Sequence, residues 1–161
     1  MTVSDKFTEA QEKQIEDALD EWNYTLNGYG HYDLVKKNAN DIEVELALFG
    51  TLATDQGLVF TTVSVLDESV QPGVLAWVED LGAHHVFVVS DRIGSRDFKT
   101  IVMHEMGHTL GLEHVDVRGS LMGAFYPANE TGGCIDEVTA INVAAVHHWH
   151  VENMNYCRLT L

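Results

Sequence analysis

The chain has 161 residues, enough for one domain with a sizeable core, and its 45% apolar content is ordinary for a globular protein. A formal net charge of -16, with 9 Lys and Arg scattered against 25 Asp and Glu, excludes the clustered cations that a nucleic-acid partner requires. No run of apolar residues is long enough for a membrane-spanning helix, and the opening MTVSDKFTEAQEK has no apolar core of a signal peptide. The charge reads as a solvated acidic surface. Calcium binding or a saline habitat would also suit it, and no motif asks for either.

The first element is a helix from Thr8, its N-cap, to Leu26, with Ile15, Leu19, Trp22 and Leu26 recurring at helical spacing among charges. GYGHY (residues 28–32) breaks that period. DIEVELALF (41–49) alternates apolar and acidic residues as a half-buried strand does, and 57–66 and 85–90 (HVFVVS) are further strands rich in Val and Phe. Residues 72–82 between them read as a loop with a short apolar insert. Helical spacing returns over 96–110, with Gly111 as its stop, and a Gly- and Pro-punctuated stretch follows from 119 to 133. The last helix is expected from Asp136 to His148. This order describes one α+β domain without linker or repeat. Cys134 and Cys157 bracket the last helix; either they pair and staple a loop to the chain end, or they are two free thiols.

HEMGHTLGLEH (104–114) carries the chemistry. Residues four apart stack on one helix face, so His104 and His108 present two imidazoles to one small cation. Glu105 is turned from His104 by about 100° and reaches beside the ion without ligating it. Gly111 takes a positive φ at little cost and lets His114 return to the same point. Three imidazoles with a fourth position open are the ligand set of a catalytic zinc, and Glu105 is placed to act as general base.

The motif resembles the HExxHxxGxxH signature of the metzincin metallopeptidases. SLM (120–122) follows His114 at an interval similar to that in matrix metalloproteinases, and Tyr126 falls where that group has a Tyr after its Met-turn. Val115 stands where those enzymes carry Ser, and their His- and Asp-rich loop for a structural zinc has no counterpart. The resemblance implies a single catalytic domain over 1–161, with an upper part of about 1–111 and a lower part of about 112–161. It implies a twisted mixed β-sheet, an N-terminal helix, an active-site helix above the cleft, and a small C-terminal part with the Met-turn and the final helix. Met122 would floor the ligands. An extended substrate would pair with an edge strand, expected at 84–90, and the residue after the scissile bond would enter a pocket walled by the helix at His104 and by Met122 to Pro127. Phe125, Tyr126 and Pro127 make that pocket apolar, which favours a hydrophobic residue such as Leu or Phe there and disfavours Asp and Glu.

The function expected is a zinc endopeptidase with one catalytic ion, acting as a monomer on protein or peptide, with no nucleic acid and no membrane. The resemblance implies a secreted enzyme. The alternative is a zinc module that binds a partner without catalysis, against which Glu105 argues, since a purely structural site needs no base. Lesser candidates are HHWH (147–150) as a second metal cluster, His84 and His85 on a strand, and the sequons at Asn23 and Asn129.

Overall fold

The structure, a computed structural model, describes residues 2–37, 58–63, 70–93, 97–124 and 133–158. A capping box starts helix α1 (Glu9–Leu26): the Thr8 hydroxyl accepts from the Gln11 N–H at 3.3 Å, and the Gln11 side chain accepts from the Thr8 N–H at 3.0 Å. Its stripe of Ile15, Ala18, Leu19, Trp22 and Leu26 is buried. The stripe packs on helix α3 (Phe98–Thr109), where the Trp22 indole N–H donates to the Met103 carbonyl at 3.1 Å. That bond satisfies a polar atom which would otherwise be buried unpaired.

Both helices rest on a mixed sheet of strands β1 (Thr2–Ser4), β2 (Val35–Lys37), β3 (Val59–Thr62), β4 (Ala76–Val78) and β5 (His85–Val88), in the order β2-β1-β3-β5-β4. Pairings among the first four in that order are parallel, and β4 joins β5 antiparallel. Alternation along β5 buries Val86 and Val88 in the core and leaves His85 and Phe87 half-buried on the other face. A single helical turn, α2 (Ser90–Ile93), leads on towards α3. The α+β class expected from the element order is what the chain adopts.

Three findings correct the expectations. The sheet begins before the first helix, since β1 lies between β2 and β3 and three residues are too few to show a period. Residues 72–82 are not simply a loop, because they contain β4. As a result 84–90 is not the edge: β5 lies between β3 and β4, and the edge strand on that side, among the described residues, is Ala76–Val78. The strand expected at 41–49 lies outside the described residues, as do Phe125, Tyr126, Pro127 and Asn129.

Helix α4 (Glu137–His147) is capped by Asp136 and ends at His148, which takes a left-handed φ of 57°. The question over the cysteines is resolved: Cys134 and Cys157 form a disulfide. Backbone bonds run beside it, from the Glu137 N–H to the Cys157 carbonyl at 3.0 Å and from the Cys157 N–H to the Ile135 carbonyl at 2.9 Å. The tail is thereby strapped to the start of α4.

Candidate metal centre

Helix α3 is started by Asp97, whose carboxylate accepts from the Thr100 N–H at 3.4 Å and from its hydroxyl at 2.6 Å. It carries His104 and His108 one turn apart. Gly111, at φ 84°, reverses the chain, and the Leu112 N–H returns to the Gly107 carbonyl at 3.1 Å. The reversal brings His114 back to the helix. Its Nε2 lies 3.1 Å from Nε2 of His104 and 3.2 Å from Nε2 of His108, and those two are 3.1 Å apart.

The opposite ring nitrogens settle the tautomers. Nδ1–H of His104 donates to the Leu121 carbonyl at 2.6 Å, and Nδ1–H of His108 donates to the Leu112 carbonyl at 2.7 Å. Carbonyls only accept, so both Nδ1 atoms hold the proton and both Nε2 atoms offer lone pairs. Converging lone pairs repel unless a cation lies among them. Zinc–nitrogen bonds of about 2.0–2.1 Å in a tetrahedron require nitrogens about 3.3 Å apart, close to the edges of this triangle. Burial pushes His104 down to about 4 and lowers His108 from 6.5, so both rings stay neutral near pH 7, as ligands must. The donor set fits zinc.

Glu105 is 6% exposed, and burial raises its carboxyl to about 8. It has no hydrogen-bond or ion-pair partner among the described residues, yet it lines the open space on both sides of the imidazoles. One side is a cavity of about 510 Å³ walled by Val74, Leu75, Ile101, Gly123 and Ala124. The other, of about 420 Å³, is bordered by Trp77, Val78, Asp80, Leu81 and Glu113. Both touch Ala76, His104, Glu105 and His114, so they are two arms of one cleft that follows β4.

Met122 is fully buried and lies against Gly107 of the same helix that carries His104 and His108. A Cβ on Gly107 would overlap its sulfur and come within 3.1 Å of its methyl carbon. Gly107 is therefore glycine because Met122 needs the room. The turn containing Met122 is held by the buried Asp136, whose carboxylate accepts from the Leu121 N–H at 2.7 Å, the Thr139 hydroxyl at 2.8 Å, the Thr139 N–H at 3.1 Å and the Ser120 hydroxyl at 3.2 Å. The sequence reading missed both residues. A glycine inside a helix is a packing signal, and Gly107 could have been found that way; the reach of Asp136 back to residues 120–121 has no local signature.

The other candidates do not converge. His147 Nε2–H donates to the Leu110 carbonyl at 3.0 Å and its ring stacks on Trp149, while His150 faces Glu152. Among the described residues, His104, His108 and His114 form the one group placed to hold a metal. His85 Nε2 lies 3.0 Å from the Thr61 hydroxyl on the outer sheet face, and His84 is exposed outside the cleft lining. The Asn23 amide bonds both the N–H and the carbonyl of Tyr32, at 2.7 and 2.9 Å, so that sequon is engaged in the fold.

Three converging imidazoles at the end of a helix, a buried carboxylate beside them and a cleft lined by strand β4 define a zinc metallopeptidase of the metzincin type. The model of the matrixin family matches residues 2–147, and the chain belongs to that family. Among solved structures it is similar to archaemetzincin from Methanopyrus kandleri, with a TM-score of 0.64 and 15% identity over 91% of this chain and 93% of that one. At that identity the likeness is one of fold. No curated protein matches the chain.

Proposed function

We propose that the chain is an endopeptidase in which His104, His108 and His114 hold one catalytic zinc through Nε2 and Glu105 is the general base. Held there, zinc would supply the Lewis acidity that brings a water molecule's pKa towards neutrality and polarises a carbonyl. The Glu105 carboxylate takes the water's proton and passes it to the leaving amine. Met122 floors the ligands, and the cleft divides an upper part of about 1–111 from a lower part of about 112–161. The backbone edge of Ala76–Val78, which no strand among the described residues pairs, aligns an extended peptide over the imidazoles. Next to them, the arm walled by Leu75, Ile101 and Ala124 takes a hydrophobic residue such as Leu or Phe after the scissile bond. Disulfide Cys134–Cys157 supports a location outside a reducing cytosol.

The observation that carries this reading is the convergence of three imidazoles beside a buried carboxylate with no partner. Its test is Glu105→Gln in a quenched peptide assay with zinc quantified in the same samples. Turnover is expected to fall about 10²–10⁴-fold with zinc retained. Undiminished turnover would remove Glu105 from the mechanism. Zinc-loaded parent protein that cleaves no peptide would leave a binding module instead.

A further inference from the structure

The two arms of the cleft differ in charge. Beyond His104, His114 and Glu105, which both share, the arm at Leu75, Ile101 and Ala124 is lined by no charged side chain among the described residues. The arm at Trp77 and Leu81 has Asp80 and Glu113, and no Lys or Arg lines it.

Both carboxylates are set on backbone fixed to the metal centre. Asp80 lies in the turn after β4, where its carbonyl accepts from the Ala83 N–H at 2.9 Å, and the next N–H back, that of Gly82, donates to the carbonyl of His108 at 2.8 Å. Glu113 directly precedes His114. Glu105 lines the same arm, nine-tenths buried and without a hydrogen-bond or ion-pair partner among the described residues. A stretch of chain lying there meets the carboxylates of Asp80 and Glu113 with no Lys or Arg among the lining residues, on a protein of net charge -16.

Strand direction assigns this arm to one side of the scissile bond. β4 runs from Ala76, shared by both arms, to Val78, which lines the acidic arm alone. Antiparallel pairing is the commoner addition to a sheet edge, by about two- to threefold. A peptide so paired runs the opposite way, with its earlier residues in the acidic arm and its later ones in the apolar arm. β4 ends at Val78, two residues beyond Ala76, and the turn that carries Asp80 begins at the third, so at about 3.4 Å per residue the start of that turn faces the second to third residue of a paired peptide counted from Ala76.

We infer that Asp80 and Glu113 form a subsite for a Lys or Arg side chain two to three residues before the scissile bond. This rests on the endopeptidase reading above. The substrates selected are peptides with a basic residue followed, across the cut, by a hydrophobic one. Both acids are exposed, so selectivity is modest, about three- to tenfold in kcat/KM.

The test uses zinc-loaded full chain and peptide pairs identical except for Lys or Gln at the second and third positions before a fixed Leu cleavage site. The Lys peptides are expected to be cut about three- to tenfold better. In Asp80→Asn/Glu113→Gln that ratio should fall to about one, with each single variant between. Raising salt should shrink it in the parent as the screening length drops from about 10 Å at 0.1 M to about 3 Å at 1 M. Cleavage at Leu with no Lys preference, or a preference that survives in the double variant, would overturn the subsite and leave the endopeptidase standing. A preference for Lys after the cut would overturn the strand direction and the subsite with it. Failure to cut any peptide would overturn the endopeptidase reading itself.

Discussion

Replacing Asp136 by Ala tests how the imidazoles are held. The carboxylate caps helix α4 through the Thr139 N–H at 3.1 Å and, through the Leu121 N–H at 2.7 Å, holds the turn whose Leu121 carbonyl receives Nδ1–H of His104 at 2.6 Å. Loss of an N-cap costs about 1 kcal/mol. Leaving the buried Leu121 N–H without a partner costs about 1–3 kcal/mol more. The Ser120 and Thr139 hydroxyls can rotate towards each other, 3.3 Å apart, and add less. The sum is about 3 kcal/mol, or a fall in Tm of about 6–12 °C for a domain of this size. Once the turn is loose, His104 loses its orienting acceptor, and zinc affinity should drop about 10–100-fold. Denaturant unfolding of zinc-free protein reads the first effect and competition with a chelator reads the second. Asp136→Asn separates them further: its oxygen can still cap Thr139, but its amide then faces the Leu121 N–H, donor against donor. An Ala variant within about 1 kcal/mol of the parent, with zinc affinity unchanged, would refute the linkage from α4 to His104.

Gly107→Ala should destabilise by about 1–3 kcal/mol, although alanine is the better helix former by about 1 kcal/mol, because the new Cβ meets the Met122 sulfur; a variant that unfolds at higher denaturant would count against that packing. Opening the Cys134–Cys157 bond, which closes a loop of separation 23, should cost about 3 kcal/mol on the chain-entropy argument. Identical melting with and without reductant, once thiol titration shows the bond open, would contradict it. Burial raises the Tyr32 hydroxyl from 10.0 to about 12, so its neutral form belongs to the fold. The stability it contributes is complete below pH 10 and is lost as pH rises through about 12. Tyr32→Phe should flatten that alkaline slope in urea titrations, and an unchanged slope would exclude Tyr32 as its source.

The metal centre was legible because its geometry is local. Spacings of four and six residues, with one glycine between, place three imidazoles without knowledge of the rest of the chain. Long helices were legible for the same reason, down to the cap at Thr8. The sheet was much less so. β1, β2 and β4 are three residues each, too short for alternation to register, and strand order depends on pairings far apart in the chain. Reading 84–90 as the edge failed on that point: HVFVVS is the more strand-like segment, and for that reason it takes the interior place, where apolar side chains are buried. AWV, interrupted sooner by Glu79 and Asp80, is left for the rim.

That exchange of strands changes what sets specificity. An interior strand cannot be altered without disturbing the core, since Val86 and Val88 are fully buried. The edge strand and the turns flanking it are half-buried or exposed from Pro72 to Val78 and from Glu79 to Gly82. They form one wall of both arms of the cleft. Their position is nevertheless fixed, by the β4–β5 ladder on one side and by the Gly82 bond to the His108 carbonyl on the other. Side chains in 72–81 can therefore vary in charge and size at little cost to stability, while the backbone that presents them stays in register with the imidazoles. The three imidazoles sit on the rigid helix and its reversal, and on the reading proposed above substrate choice is carried by the segment across from them. On this division of labour, exchanging residues 79–81 should move the preference before the cut and leave the hydrophobic preference after it in place. Cleavage-site profiles of such an exchange would show the two preferences shifting together if the arms were not independent.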